Sequence, residues 1–136
     1  MKRTKEKTRS WYKKHSADFW FSKFIRQRDG RCYTCDKHNY LKGLQCGHFV
    51  PRQYILTRYD ERNNHAQCYA CNMLYNGQPS KYANNLIRDY GYKLLEELEV
   101  LRQQSKLVDA GKEFDFKKIG DEYKKKYEDL LCEDKL

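Results

Sequence analysis

No stretch of the 136 residues stays apolar for the roughly 18 to 20 positions that a membrane-spanning helix requires, so no such helix is expected. The N-terminus, MKRTKEKTRSWYKK, starts charged but no apolar segment follows it, so it does not read as a secretory signal, and a cytoplasmic location is expected. There is no Pro/Ser-rich linker and no internal repeat beyond two Cys-x-x-Cys pairs, which argues for a single domain over residues 15–136. Apolar residues make up only 39% against 35% charged, so the core should be small and a metal should supply part of the stability.

What the chain has is positive charge. A formal +9 and a pI near 9.2 favour a polyanionic partner, of which nucleic acid is the commonest for a soluble protein. Residues 1–14 are dense in Lys and Arg, with almost no apolar content before Trp11, and read as a flexible basic arm.

It also has six cysteines. In a reducing compartment they point to metal rather than to disulfides. Cys32-Tyr33-Thr34-Cys35 and Cys68-Tyr69-Ala70-Cys71 are two knuckles, and together they offer four soft ligands to one tetrahedral structural Zn²⁺. Cys46 and Cys132 lack partners at that spacing and are taken as plain thiols. A thiol redox protein is disfavoured, because zinc would sequester both pairs.

The periodicity predicts a helix over 16–28, with Trp20/Phe24 and Phe21/Ile25 at i, i+4 and Asp29-Gly30 as its stop. A short strand is expected from Leu44 to Val50, closed by Pro51, followed by a loop over 52–62, an extended NNHAQ and a helix starting around Cys71. Three packing helices should follow: from Ser80 to the stop at Gly91, onward to Gly111, and from Phe114 to Leu131. The metal core would lie at about 30–80, with C-terminal helices over 80–131.

Hydrolysis of a phosphodiester needs a base for water, a hard divalent cation, and something to hold the base. His48 on its strand is the candidate base, since imidazole titrates near neutrality. Asn72, fixed by the adjacent Cys71, could offer its amide oxygen to Mg²⁺ or Mn²⁺. Asn63 could pin the loop to the His48 strand through paired side-chain-to-backbone bonds, or simply cap a turn. Arg52, Arg58 and Arg62, lying among Tyr54 and Tyr59, are candidate phosphate contacts or merely solvated loop residues.

Taken together, C-x-x-C, GHF, RNNHAQCYACN and a Gly shortly after resemble the zinc-containing HNH endonucleases. More closely, FIRQRDGRCYTC, LQCGHFVPR, RYDERNNHAQCYACN, the DYG turn and FDFKKIGDEYKKKYEDL resemble the phage recombination proteins called NinG or Rap, over about residues 19–131. The resemblance implies an α+β fold with a treble-clef, zinc-stapled ββα-metal core and flanking helices. It also implies a structure-specific DNA endonuclease acting on branched intermediates such as Holliday junctions or D-loops. By that match His48 is the general base, Asn63 orients it, and Asn72 stands at the last motif position as a catalytic-metal ligand.

One departure is Gly47, where many HNH enzymes carry a metal-binding Asp or His. Gln45, His65, Asp60 and Glu61 are within reach as a second ligand, with water as the alternative, and His65 is preferred because it shares strand parity with Asn63. Two symmetric nicks would suggest a homodimer. The competing reading is a zinc-stapled module that binds branched DNA without cutting, which needs the same charge and knuckles but not His48.

Overall fold

The computed structural model describes residues 9–135, with side chains from Ser16 onward. Helix α1 spans Arg9–Asp29, so residues 9–14 of the expected arm are helical, while 1–8 lie outside the described residues. It ends because Gly30 takes φ +66° while its N–H still bonds the Arg26 carbonyl, a left-handed stop that glycine adopts without steric cost.

Two four-residue strands follow, β1 (Gln45–His48) and β2 (Asn64–Gln67), paired antiparallel. β1 is shorter than the stretch expected to reach Val50. Phe49 N–H still bonds the Asn63 carbonyl, but the Val50 backbone is taken over by a side chain. The loop between the strands is not wholly irregular, since Ile55–Arg58 forms a short helix, α2. The second knuckle leads into a wide π-type turn over Ala70–Leu74, in which Tyr75 N–H reaches back five residues to the Ala70 carbonyl.

Helix α3 runs Pro79–Tyr90, with Pro in its first turn and Gly91 at φ +88° after its end. Helix α4 (Lys93–Ser105) stops short of Gly111, because Asp109 caps a new one-turn helix, α5 (Ala110–Glu113), through the Gly111 N–H. Asp115 does the same for α6 (Phe116–Asp134), accepting from the Lys118 N–H, which moves its start past Phe114. No helix among the described residues is long and apolar enough to cross a membrane.

The hairpin is a partition. On one side α1 and α6 pack through Phe21, Phe24, Ile25 and Tyr123, and Cys46 of β1 joins that cluster. Gly120 lets the two helices approach, since a Cβ there would lie 3.2 Å from Ser16 Oγ and 3.3 Å from the Ala17 backbone N. On the other side Tyr82 and Leu86 of α3 and Leu94 and Leu98 of α4 form a second cluster with Val50. The cysteines with Leu44 and Ala66 make a third.

The loop over 55–62 ties these pieces together. Asp18 of α1 takes an ion pair from Arg58 and a bond from Tyr59, and Glu61 takes Tyr123 and Lys126 of α6. Arg62 reaches Glu97 of α4, and Ser105 Oγ accepts the Leu56 N–H.

Candidate functional site

The Sγ atoms of Cys32, Cys35, Cys68 and Cys71 lie within 4.8 Å of one another. Sulfurs on a tetrahedral zinc at about 2.3 Å stand about 3.8 Å apart. Cys35 and Cys68 are 3.7 Å apart, far from a disulfide length, and the geometry fits one zinc ion. Burial pushes the Cys71 thiol up to about 12. It also opposes ionisation of Cys32, but N–H groups of Cys68 and Thr34 and the Thr34 hydroxyl outweigh it, leaving Cys32 at about 6. So crowded a set of sulfurs reaches the fully ionised state only with a cation among them.

The first knuckle is anchored where Tyr33 N–H bonds the Ala66 carbonyl and Cys32 N–H bonds the His38 carbonyl. Cys46 takes no part in the cluster: its thiol lies toward Asn64 Oδ1 at 3.9 Å, and burial pushes its pKa up to about 12.

Asn63 is fully buried, and its amide is wholly committed. Oδ1 accepts the Val50 N–H at 2.8 Å, while Nδ2 donates to the Val50 and Thr57 carbonyls at 3.1 Å each. The segment leaving β1 is therefore held to the head of β2 two residues beyond His48. The neighbouring Asn64, which the sequence reading passed over, donates to the carbonyls of Thr57, Arg58 and Asp60 and fixes the same loop from its other end.

His48 pairs with Asn64 in the register, and its charged neighbours are Arg58, Asp18 and Arg52. Its Nδ1 is buried with no partner. Burial, then the charge of Arg58, lowers its pKa to about 4, so at neutral pH the ring is an uncharged proton acceptor.

His65 pairs with Gly47, one residue out of phase, and alternation puts it on the opposite face of the hairpin. It is stacked on Tyr33 at 3.9 Å between centroids. Its Nδ1 lies 3.3 Å from Tyr82 Oη and its Nε2 3.3 Å from Tyr90 Oη. Because Tyr82 donates to the Gly47 carbonyl at 2.7 Å, its oxygen accepts from His65 Nδ1–H, and Nε2 is left to accept from Tyr90. Burial lowers this imidazole to about 4 as well. The structure therefore does not bring His65 to His48; shared parity with Asn63 was a poor guide, because the cross-strand register decides the face.

Asn72 lies in the π-type turn and donates through Nδ2 to Gln45 Oε1 at 2.8 Å. Of the residues weighed as a second ligand, Gln45 is the one the structure joins to Asn72. Gly47 cannot carry a side chain without rearrangement, since a Cβ would fall 1.9 Å from Gln67 Oε1. Gln67 is 1% exposed, its Nε2 donates to Thr34 Oγ1 and the Gly77 carbonyl, and its Oε1 has no partner. Its signal in sequence was weak: a polar residue at the end of a strand that proves to be buried throughout.

The three arginines expected to contact phosphate diverge. Arg58 is 5% exposed and bound at two points to Asp18, so it is a structural ion pair rather than a free cation. Burial works against the Asp18 carboxylate, but the bonds from Arg58 and Tyr59 outweigh it and keep its pKa below the usual value. Arg62 bridges Asp60 and Glu97. Arg52 alone is exposed, with no side-chain bond among the described residues.

Fold and site thus define an α+β protein with a small two-stranded sheet stapled by a four-cysteine cluster that could hold zinc. The chain belongs to the family of the bacteriophage lambda NinG protein, whose model matches residues 1–133, a family implicated in phage recombination. No curated protein and no solved structure matches it.

Proposed function

We propose that this protein is an HNH-type endonuclease with a treble-clef core, cutting branched DNA formed during recombination. The observation that carries this reading is His48: an uncharged imidazole with an unpartnered Nδ1, at the end of a strand whose exit is pinned by Asn63. Zinc knuckle, hairpin and second knuckle opening into a helical turn supply the order of elements that such a core requires.

In this reading His48 accepts the proton of the attacking water. Asn72, whose Nδ2 is held by Gln45, would offer its amide oxygen to a Mg²⁺ or Mn²⁺ ion. When bound, such an ion supplies charge neutralisation at the phosphate and the departing oxygen. Both protein groups are neutral amides, so the rest of the shell falls to water and to the DNA phosphate. Arg52, exposed and near enough for its charge to be felt at His48, is the loop cation that would meet the DNA backbone there.

Gly47 and Gln67 favour a second reading, a module that binds branched DNA without cutting, because Gln67 fills the space where a ligand at position 47 would project. Linear, flap, D-loop and four-way substrates incubated with Mg²⁺ and with Mn²⁺ separate the two. Nicking that disappears in both His48→Ala and Asn72→Ala, with zinc retained, supports the nuclease. Wild-type protein that binds the branched substrates and cuts none of them leaves the binding module.

A further inference from the structure

A cavity of about 1090 Å³ lies on the face of the hairpin away from His48. That is at the upper end of the size of ligand sites. One wall is the first knuckle with Arg31 and Lys37, and the other is α3 with Lys81, Asn84, Asn85 and Arg88. The four α3 residues stand at i, i+3, i+4 and i+7, so they form one polar stripe, while Tyr82 and Leu86 turn into the core. Neither His48 nor Asn72 lines this cleft, whereas His65 forms part of its floor.

Several of these groups are uncommitted. Lys37, Lys81 and Asn84 are exposed and make no side-chain hydrogen bond or ion pair among the described residues. Arg31 has only a loose 3.7 Å contact with a fully exposed Asp36. Asn85, by contrast, is spent on the Tyr33 carbonyl and fixes the knuckle against α3. Lys81 and Arg88 are separated by about 10 Å along the helix, far enough to meet different phosphates of one strand. Arg88 is paired with Asp89, and Asp29 and Asp36 also line the trough, so its free cations among the described residues are Lys37 and Lys81 with the loosely held Arg31. Set on both rims of an open trough, these suit a chain of anions better than a compact apolar ligand.

We propose that the cleft between the first knuckle and α3 is a second nucleic-acid site, holding a phosphodiester strand of an arm other than the one presented to His48. This rests on DNA being the partner, as proposed above, but not on cleavage. Since His48 and the His65 that lines this cleft lie on opposite faces of the hairpin, a strand here and a strand at His48 would follow different paths of the substrate. The protein would then select for branches by needing both sites filled at once.

Lys37→Glu/Lys81→Glu reverses two exposed charges that no described residue depends on for folding. Zinc content and circular dichroism check that the variant is intact. Anisotropy of a labelled four-way junction, and of a duplex of equal length, is followed against KCl without divalent metal. Junction affinity should fall at least tenfold and its logarithmic salt slope by about two, with duplex affinity changing less than threefold.

Junction binding equal to wild type overturns the proposal, and so does an equal loss on both substrates, which would make these lysines general attractants. A mononucleotide that competes as well as a short single strand would overturn the strand assignment. Wild-type protein that shows this junction preference but never cuts leaves the cleft standing and removes the nuclease reading.

Discussion

Replacing Asn63 by alanine tests whether its side chain holds the His48 segment in place. The substitution removes three hydrogen bonds at a fully buried position. The Thr57 carbonyl keeps a bond from Asn64 Nδ2, but the Val50 N–H and C=O lose these partners in a region closed to water. Stranding two buried backbone groups at about 1–3 kcal/mol each, with part of the third bond, predicts a loss of about 3–5 kcal/mol. Against a typical total of about 5–15 kcal/mol, that is a large fraction.

Urea unfolding in excess zinc should show it as a lower midpoint at an unchanged slope. Asn63→Asp keeps an acceptor for Val50 N–H but turns a carboxylate oxygen against the Val50 and Thr57 carbonyls, so at neutral pH it should cost at least as much as alanine. Zinc content of folded Asn63→Ala should equal that of wild type, since no cysteine touches the amide. A loss under about 1 kcal/mol would refute the argument, because two orphaned groups could not then be as dry as their burial implies.

Gly47→Ala should cost about 1–3 kcal/mol by driving a methyl into Gln67, which Thr34 and Gly77 prevent from swinging away. Adding Gln67→Ala should give a double mutant whose loss is less than the sum of the two. His48 and His65, both lowered to about 4, stay neutral while the unfolded chain takes up protons near 6.5. Stability is then fully present above the unfolded value and falls with acid, by about 1.3 kcal/mol per imidazole between pH 7.5 and 5.5. His65→Gln should remove half of that slope, and a slope unchanged would contradict the burial of its ring. Cys68→Ser should abolish zinc retention on metal analysis, while Cys46→Ser and Cys132→Ser keep it, since neither belongs to the cluster.

The sequence was most legible where chemistry is local. Cysteines two residues apart can face one ion whatever the fold does elsewhere, and apolar residues four apart mark a buried helix stripe, as Phe21 and Ile25 do. Helix ends were displaced by caps such as Asp109 and Asp115, whose effect depends on a single hydrogen bond. What could not be read was pairing across distance. Arg58 had the look of a phosphate contact because its partner, Asp18, lies forty residues away on another helix. His65 and His48 sit in strands of four residues, where the register places them on opposite faces and no pattern that short announces it.

The loop over 55–62 carries a consequence of its own. It receives α1, α4 and α6, the two ends of the chain and its middle, yet none of the zinc ligands. The site therefore divides into two cooperative units with different weaknesses: one around the cysteines that a chelator loosens, and one around His48 that is lost when the terminal helices undock. Hydrogen exchange under chelation should open the knuckles first and leave the amides of α1 and α6 protected. A truncation that removes α6 should do the reverse, silencing His48 in a chain that still holds its metal.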